Sequence, residues 1–317
     1  MSARLLLPLA ALLGLTACSY DFDRASEVVD RRILGIQVEP PELAAGMPLP
    51  SSIQARALVV DPREPLAVTE VSWWSCTFAE RGEAPGPDDG EARCPDTGAT
   101  VLHASGEVPL STVSQSIPVP EEVANALASG SGFTAPQLQV QLKVRAEAGD
   151  LYGIKLVTVT VRPNEGQEPN RNPVLQGLSL DGADWPAEAP ARLRYGECPD
   201  ERKTEVDAAD GSRVAVCEHD IEPLFDEATA QFFQERGLSG KLETQRERLR
   251  FSWFTDAGSF RNDRTRQKDP RDPAPDNIGP KGVWREPPAK TERATIWVVM
   301  RDGRGGTHWE RREVLFE

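Results

Sequence analysis

Leu138 to Val144, LQVQLKV, alternates apolar and polar residues without a break. A period of two is the pattern of a strand with one face turned to a core. Short apolar runs of the same kind recur at Ile53–Val60 (IQARALVV), Val68–Phe78 (VTEVSWWSCTF), Leu151–Val161 (LYGIKLVTVTV), Leu249–Phe254 (LRFSWF) and Ala294–Asp302 (ATIWVVMRD). Turns rich in proline and glycine separate them; the chain holds 27 and 25 of these residues. Short runs cut by such punctuation build β-sandwiches rather than helix bundles. Two stretches read differently. Glu121 to Leu127, after Pro120, predicts a helix, and Ile221 to Arg236 predicts one or two helical turns burying Phe225, Phe232 and Phe233. The expected fold is all-β, two sandwiches with minor short helices.

The first eighteen residues, MSARLLLPLAALLGLTAC, set Arg4 before an apolar run from Leu5 to Leu15. A spanning helix needs roughly 20 apolar residues and a secretory leader about 7–15. Pro8 weakens a spanning reading further. Leu15-Thr16-Ala17-Cys18 then resembles the lipobox of a bacterial lipoprotein. The resemblance implies cleavage after residue 17, lipidation of Cys18 as the first mature residue, and anchoring by two or three acyl chains, more than the single chain that binds only marginally. The plainer alternative is an ordinary secretory leader cut near Ala17. Ser19 in place of aspartate points to the outer membrane. Residues 18–31, with Asp21, Asp23, Glu27 and Asp30, read as an acidic tether.

The stretch RPNEGQEPNRNP, Arg162 to Pro173, carries three prolines and places a linker at 163–173. It divides the chain into domains at 32–162 and 174–317. Beyond Cys18 there are four cysteines, Cys76, Cys94, Cys198 and Cys217. In an oxidising exported compartment an even set invites disulfides, and four cysteines allow three connectivities. The local pairing, Cys76 with Cys94 and Cys198 with Cys217, closes one loop per domain and is favoured. Each loop is worth about 3 kcal/mol in the chain-entropy picture.

ILGIQVEPPELAAG and ALVVDP, with FSWFTDAGSF and IWVVMRDGRGGTHW later on, resemble strands of the Ig-like and PKD-like domains found in myxobacterial-type lipoproteins. That resemblance covers about a third of the chain. It implies two Ig-like sandwiches, a central-strand tryptophan between sheets, and a glycine turn joining the last two strands. It implies no activity, because such sandwiches host many roles.

Fifty acidic against 36 basic residues give a formal charge of −14. That argues against nucleic acid and against non-specific attraction to anionic lipid. A basic stretch, Arg246 to Arg250 with Arg261, Arg264, Arg266 and Lys268, is the exception, and reads as a solvated strand edge and loop. Three histidines, His103, His219 and His308, and no G-x-S-x-G leave no hydrolase signature. No closely spaced cysteines suggest zinc, and Cys217-Glu218-His219 is too sparse a cluster. Asp88, Asp89, Glu91 and Asp96 are weak calcium candidates lacking EF-hand spacing. Trp73, Trp74, Trp253 and Trp297 read as core; Trp185, Trp284 and Trp309 lie near loops and are candidates for glycan stacking. The expected function is a membrane-anchored, non-catalytic binding or scaffolding module of the cell envelope, needing no cofactor. Its expected partners are an envelope protein or a polysaccharide. Glycan binding or a cryptic glycan hydrolase is the alternative, and calcium-dependent adhesion a third.

Overall fold

A computed structural model describes residues 25–79, 94, 100–130, 136–164, 166–236, 240–268 and 279–317. Its strands up to Thr160 are β1 (Arg32–Glu39), β2 (Glu42–Ala44), β3 (Ser52–Val60), β4 (Val68–Ala79), β5 (Thr100–Pro109), β6 (Ser114–Pro118), β7 (Pro136–Ala146) and β8 (Gly149–Thr160). They form a sheet β1-β3-β6 facing a sheet β2-β8-β7-β4-β5. In β7, Leu138, Val140, Leu142 and Val144 are fully buried between the sheets, as the alternation requires. The opposite face is not left to water throughout. Gln139 and Gln141 are also buried there, beneath Cys94, whose N–H donates to Gln141 Oε1 at 2.8 Å. The one α-helix among the described residues, α1 (Glu121–Ser129), buries Val123 and Leu127 and stops at Gly130, whose φ of 58° suits a left-handed cap.

The later strands are β9 (Gly177–Leu180), β10 (Ala183–Trp185), β11 (Ala191–Leu193), β12 (Lys203–Asp207), β13 (Arg213–Leu224), β14 (Phe232–Arg236), β15 (Leu242–Arg246), β16 (Arg250–Thr255), β17 (Ser259–Phe260), β18 (Arg264–Arg266), β19 (Gly282–Arg285), β20 (Arg293–Arg301) and β21 (Thr307–Phe316). One sheet runs β10-β9-β13-β19-β17 with β12 on β13; the other runs β11-β21-β20-β16-β18. Trp253, Trp284, Phe251 and Phe260 fill the space between them. The helical turns expected over 221–236 reduce to one short 3₁₀ turn. Backbone partners on both sides, β9 and β19, hold β13 extended, and tertiary pairing overrides helical spacing. A short 3₁₀ turn at Glu227–Thr229 follows, then the hairpin β14–β15. Phe225 does pack inward, 5.5 Å from Phe251, but Phe232 is 66% exposed.

Both disulfides have the local pairing. Cys76 and Cys94 have Cα atoms 5.7 Å apart, and Cys198 and Cys217 6.0 Å apart.

The two sandwiches share a small third core. Leu34 and Val60 from the first meet Trp297 and Val299 from the second, with Val28 from the leading segment. Along β20, Ala294, Ile296, Val298 and Met300 face the second core, while Trp297 and Val299 face the first sandwich. Burial on both faces accounts for its unbroken apolar sequence. A bulge between Ile33 and Gly35 lets β1 keep Ile36 and Val38 in its own core and turn Leu34 outward. Arg56 closes the edge, stacked 4.8 Å over the Trp309 ring.

The segment expected to be a linker is strapped across this junction. Asn172 Nδ2 donates to Val38 O and to Glu39, each at 2.7 Å, and its Oδ1 accepts from Thr307 N at 2.8 Å. Asn170 is buried, its N–H donating to Glu42 and its side-chain amide to Asp302. At the tip of the β20–β21 hairpin, Arg304 bridges Glu42 at 2.9 Å and Glu247 at 3.0 Å, both carboxylates buried. Phe233 lies under the guanidinium at 4.9 Å. Asp302 shapes the turn by accepting from the N–H groups of Arg304 and Gly306. Gly306 must be glycine for want of space, because a Cβ there would lie 2.0 Å from the Asp302 carboxylate.

Removing one member of a buried charge cluster costs about 3–5 kcal/mol, since the partner charges stay behind without compensation. Arg304→Met is therefore expected to lower stability by about that much in urea unfolding; a loss below about 1 kcal/mol, the level of a surface pair, would refute a structural role for the bridge.

Candidate anion-binding cleft

A cleft of about 900 Å³ lies on the outer face of the sheet β18-β16-β20. Five arginines line it, Arg250, Arg261, Arg264, Arg266 and Arg301, against one carboxylate, Asp263. Strand register brings most of them together. Phe251, Trp253 and Thr255 of β16 point into the core, so Arg250 and Ser252 point out. Arg250 sits directly opposite Arg266 on one side and Arg301 on the other, and Ser252 sits opposite Arg264. Like charges facing each other across strands are destabilising. Here three arginines form one row with a fourth beside it, and among the described residues neither the Arg250 nor the Arg264 side chain has a hydrogen-bonding or ion-pair partner.

The frame beneath is rigid. Trp253 Nε1 donates to Thr265 Oγ1 at 2.8 Å, and Thr265 donates to Pro280 O at 2.7 Å, which fixes β18 to the sheet. Arg301 is held from the other sandwich, donating to Leu34 O at 2.9 Å, and reaches Ser252 Oγ at 3.3 Å. Burial, and then the nearby Arg264 charge, lower its pKa from the usual arginine range. Where β18 leaves the edge of β16, residues 25–28 take over. Thr255 N donates to Ser26 O at 2.9 Å, and Val28 N to Thr255 O at 2.7 Å. Ala25 and Ser26 thus form one wall of the cleft, and the buried Ser26 hydroxyl has no hydrogen-bonding partner. The basic stretch is more than a solvated edge: Arg250, Arg264 and Arg266 converge with Arg301, which lies 35 residues after Arg266 and outside that stretch.

The other sequence candidates fare differently. Trp185 and Trp284 are buried at 4% and 0% exposure and present no face for a sugar to stack on. Trp284 Nε1 donates to Ala257 O inside the second sandwich. Trp309 is half-buried, its ring covered by Arg56. Of the four expected core tryptophans, Trp73, Trp253 and Trp297 are buried and Trp74 is half-buried beside Lys143. The calcium candidates Asp88, Asp89, Glu91 and Asp96, and the lipidation candidate Cys18, lie outside the described residues. Ser75 Oγ lies 2.7 Å from His103 Nε2, but Ser75 is buried within the sheet.

His219, two residues past Cys217, sits between two carboxylates. Its Nδ1 lies 2.8 Å from Asp181 and its Nε2 3.4 Å from Glu286. Glu286 also accepts from Gly196 N and Cys217 N, tying this cluster to the disulfide loop. Burial alone lowers the imidazole pKa; hydrogen bonds to Asp181 and Glu286, with their charges, outweigh it and push it up to about 9. A protonated ring donating from both nitrogens has no lone pair for a metal or for general-base work. Among the described residues no group of three or more His, Cys, Asp or Glu is placed to hold a metal ion.

No protein-family model and no curated protein sequence matches the chain. Among solved structures it is similar to dimeric latent PorU from Porphyromonas gingivalis, at 10% identity and a TM-score of 0.21, over 92% of this chain and 24% of that one. It is also similar to a chimeric titin Z1Z2 functionalized with a KLER exogenous peptide from decorin, at 10% identity and a TM-score of 0.20, over 92% of this chain and 98% of that one. The chain thus spans about a quarter of the PorU chain.

A histidine whose folded pKa is raised contributes stability that is fully present below its unfolded value and is lost as pH rises through the folded value. For His219 that window runs from 6.5 to about 9. Burial, acting before the opposing contacts of Gln231 N and Arg304, pushes Glu247 up from 4.5 to about 7, so its contribution likewise fades as pH climbs across that range. Melting temperature is expected to fall between pH 6.5 and 9, and His219→Gln to flatten that part of the profile. Parallel profiles for the two proteins would overturn the assignment.

Proposed function

We propose that this chain is a non-catalytic binding module of the bacterial cell envelope, exported by its leader, tethered through a lipidated Cys18 and facing the outer membrane. The observation that carries the reading is the cleft, where Arg250 and Arg264, whose side chains have no partner among the described residues, converge with Arg266 and Arg301 on a rigid sheet. Such a site suits an anionic ligand: guanidinium forks bind phosphate or carboxylate with parallel hydrogen bonds. The lipobox-like Leu15-Thr16-Ala17-Cys18 supports tethering. The strapped junction supports a binding rather than a hinging role, since Arg304 and the shared core hold both sandwiches in one arrangement. Glycan stacking loses its support with the burial of Trp185 and Trp284.

In cells, the full chain is expected in the membrane fraction and in the detergent-rich phase after phase separation. Cys18→Ser is expected to move to the soluble fraction in high salt. Retention of Cys18→Ser in the membrane fraction under those conditions would sink the tether.

A further inference from the structure

We propose that strand β5 (Thr100–Pro109) is a self-association edge, through which two copies of this chain pair antiparallel and join their five-stranded sheets into one. The proposal stands apart from the arginine cleft and from the tether.

Among the described residues β5 ends the sheet β2-β8-β7-β4-β5 and is bonded on one side, to β4. An open edge presents a row of backbone N–H and C=O groups that another extended backbone satisfies in series. The other edges are blunted. β2, β10, β11, β17 and β18 have two or three residues each. β12 carries Lys203, Glu205 and Asp207, β15 carries Glu243 and Arg246, and β6 ends in Pro118. On β14, Asn164 Nδ2 donates to Gln234 O. On the outer side of β1, Arg301 donates to Leu34 O and Asn172 to Val38 O. β5 is ten residues long, has Glu107 as its one Asp, Glu, Lys or Arg, and has proline only at its last position. Its Val101 and Leu102 are 50% and 54% exposed.

Charge favours a second copy over a foreign strand. The chain as a whole carries −14, but this edge is nearly neutral, so it offers a charged partner little to match and costs a second copy little. A twofold axis between Ala104 and Ser105 sets Val101 opposite Val108 of the second copy, and Leu102 opposite its Glu107. The two Glu107 carboxylates then stand about 17 Å apart, at about 3.4 Å per residue, beyond the screening length of about 8 Å. The one protection β5 does carry is a bulge, since its ladder with β4 skips His103. In this register the bulge falls opposite Gly106 of the second copy, where nothing lies within 4 Å of the place a Cβ would take. The irregularity therefore has room in the paired edge.

The test uses the full chain as Cys18→Ser, so that neither lipid nor detergent holds two copies together, and follows mass by sedimentation equilibrium. One shared edge is a small interface, below about 1,200 Å², the size of weak and transient pairs. Monomer is therefore expected at about 1 µM and a growing dimer fraction toward about 500 µM, with amide exchange in β5 slowing as the dimer forms. Val101→Lys and Leu102→Lys put a charge on the edge and are each expected to raise the dissociation constant at least about tenfold. Leu242→Lys, at a residue 45% exposed on β15, should leave it unchanged. Monomer at every concentration would overturn the proposal, as would a dimer indifferent to both β5 lysines or one lost with Leu242→Lys. Protection of every β5 amide in the monomer would overturn it too, by showing the edge covered within one chain. Exchange in the chain without these lysines reads the edge even where a lysine variant fails to fold.

Discussion

The guanidinium of Arg304 ties the two sandwiches together at their junction. It lies at the tip of the last hairpin and reaches Glu42 in the first sandwich and Glu247 beside the second. Both carboxylates are buried, and neither has another cation within ion-pair distance among the described residues. Everything near them is arranged to keep the arginine in place. Asp302 folds the turn, glycine at 306 leaves room for that carboxylate, and Asn170 donates its N–H to the Glu42 oxygen that Arg304 meets and its side-chain amide to the other oxygen of Asp302. A charge cluster of this kind adds little net stability relative to an apolar filling, but it admits one relative orientation and penalises others. The apolar contacts of Leu34, Val60, Trp297 and Val299 supply the attraction that the polar bridge then orients.

That orientation creates the cleft. Arg301 donates to Leu34 O in the other sandwich, so one wall of the cationic row is fixed by the junction rather than by its own sheet. Residues 25–28 reach the edge of β16 only because the chain, on leaving them, turns directly into β1 of the first sandwich. The feature proposed to bind and the contacts that join the sandwiches are therefore one construction. Cys198–Cys217 and the paired His219 act at a different place, bracing the far sheet through Glu286 and Asp181.

Much of this was legible in the residues themselves. Alternation in LQVQLKV placed four side chains correctly in a core, and the local disulfides followed from the spacing of the cysteines. Other features depend on register, which composition does not encode. Arg250, Arg266 and Arg301 are spread over some fifty residues, and only antiparallel pairing sets them abreast. Phe225, Phe232 and Phe233 imitate helical spacing, and nothing local reveals that β13 finds partners on both edges. Trp284 lies next to turns in the sequence, yet its strand β19 pairs with β13 and carries the ring inward. Proximity to a loop is a weak guide to exposure when the strands are only four residues long.

The junction also fixes an order of assembly. Leu34 and Arg301 are 267 residues apart, so their contact closes when nearly the whole chain has emerged. Contacts of such long range form late, because loop closure must be met before they contribute. The first sandwich has its own core and disulfide, and can complete itself while the outer side of β1 and β3, with Leu34 and Val60, is still bare. During that interval the nascent chain carries an apolar patch that its own last strands will cover, and until then the patch is open to whatever chaperone or neighbouring chain reaches it first.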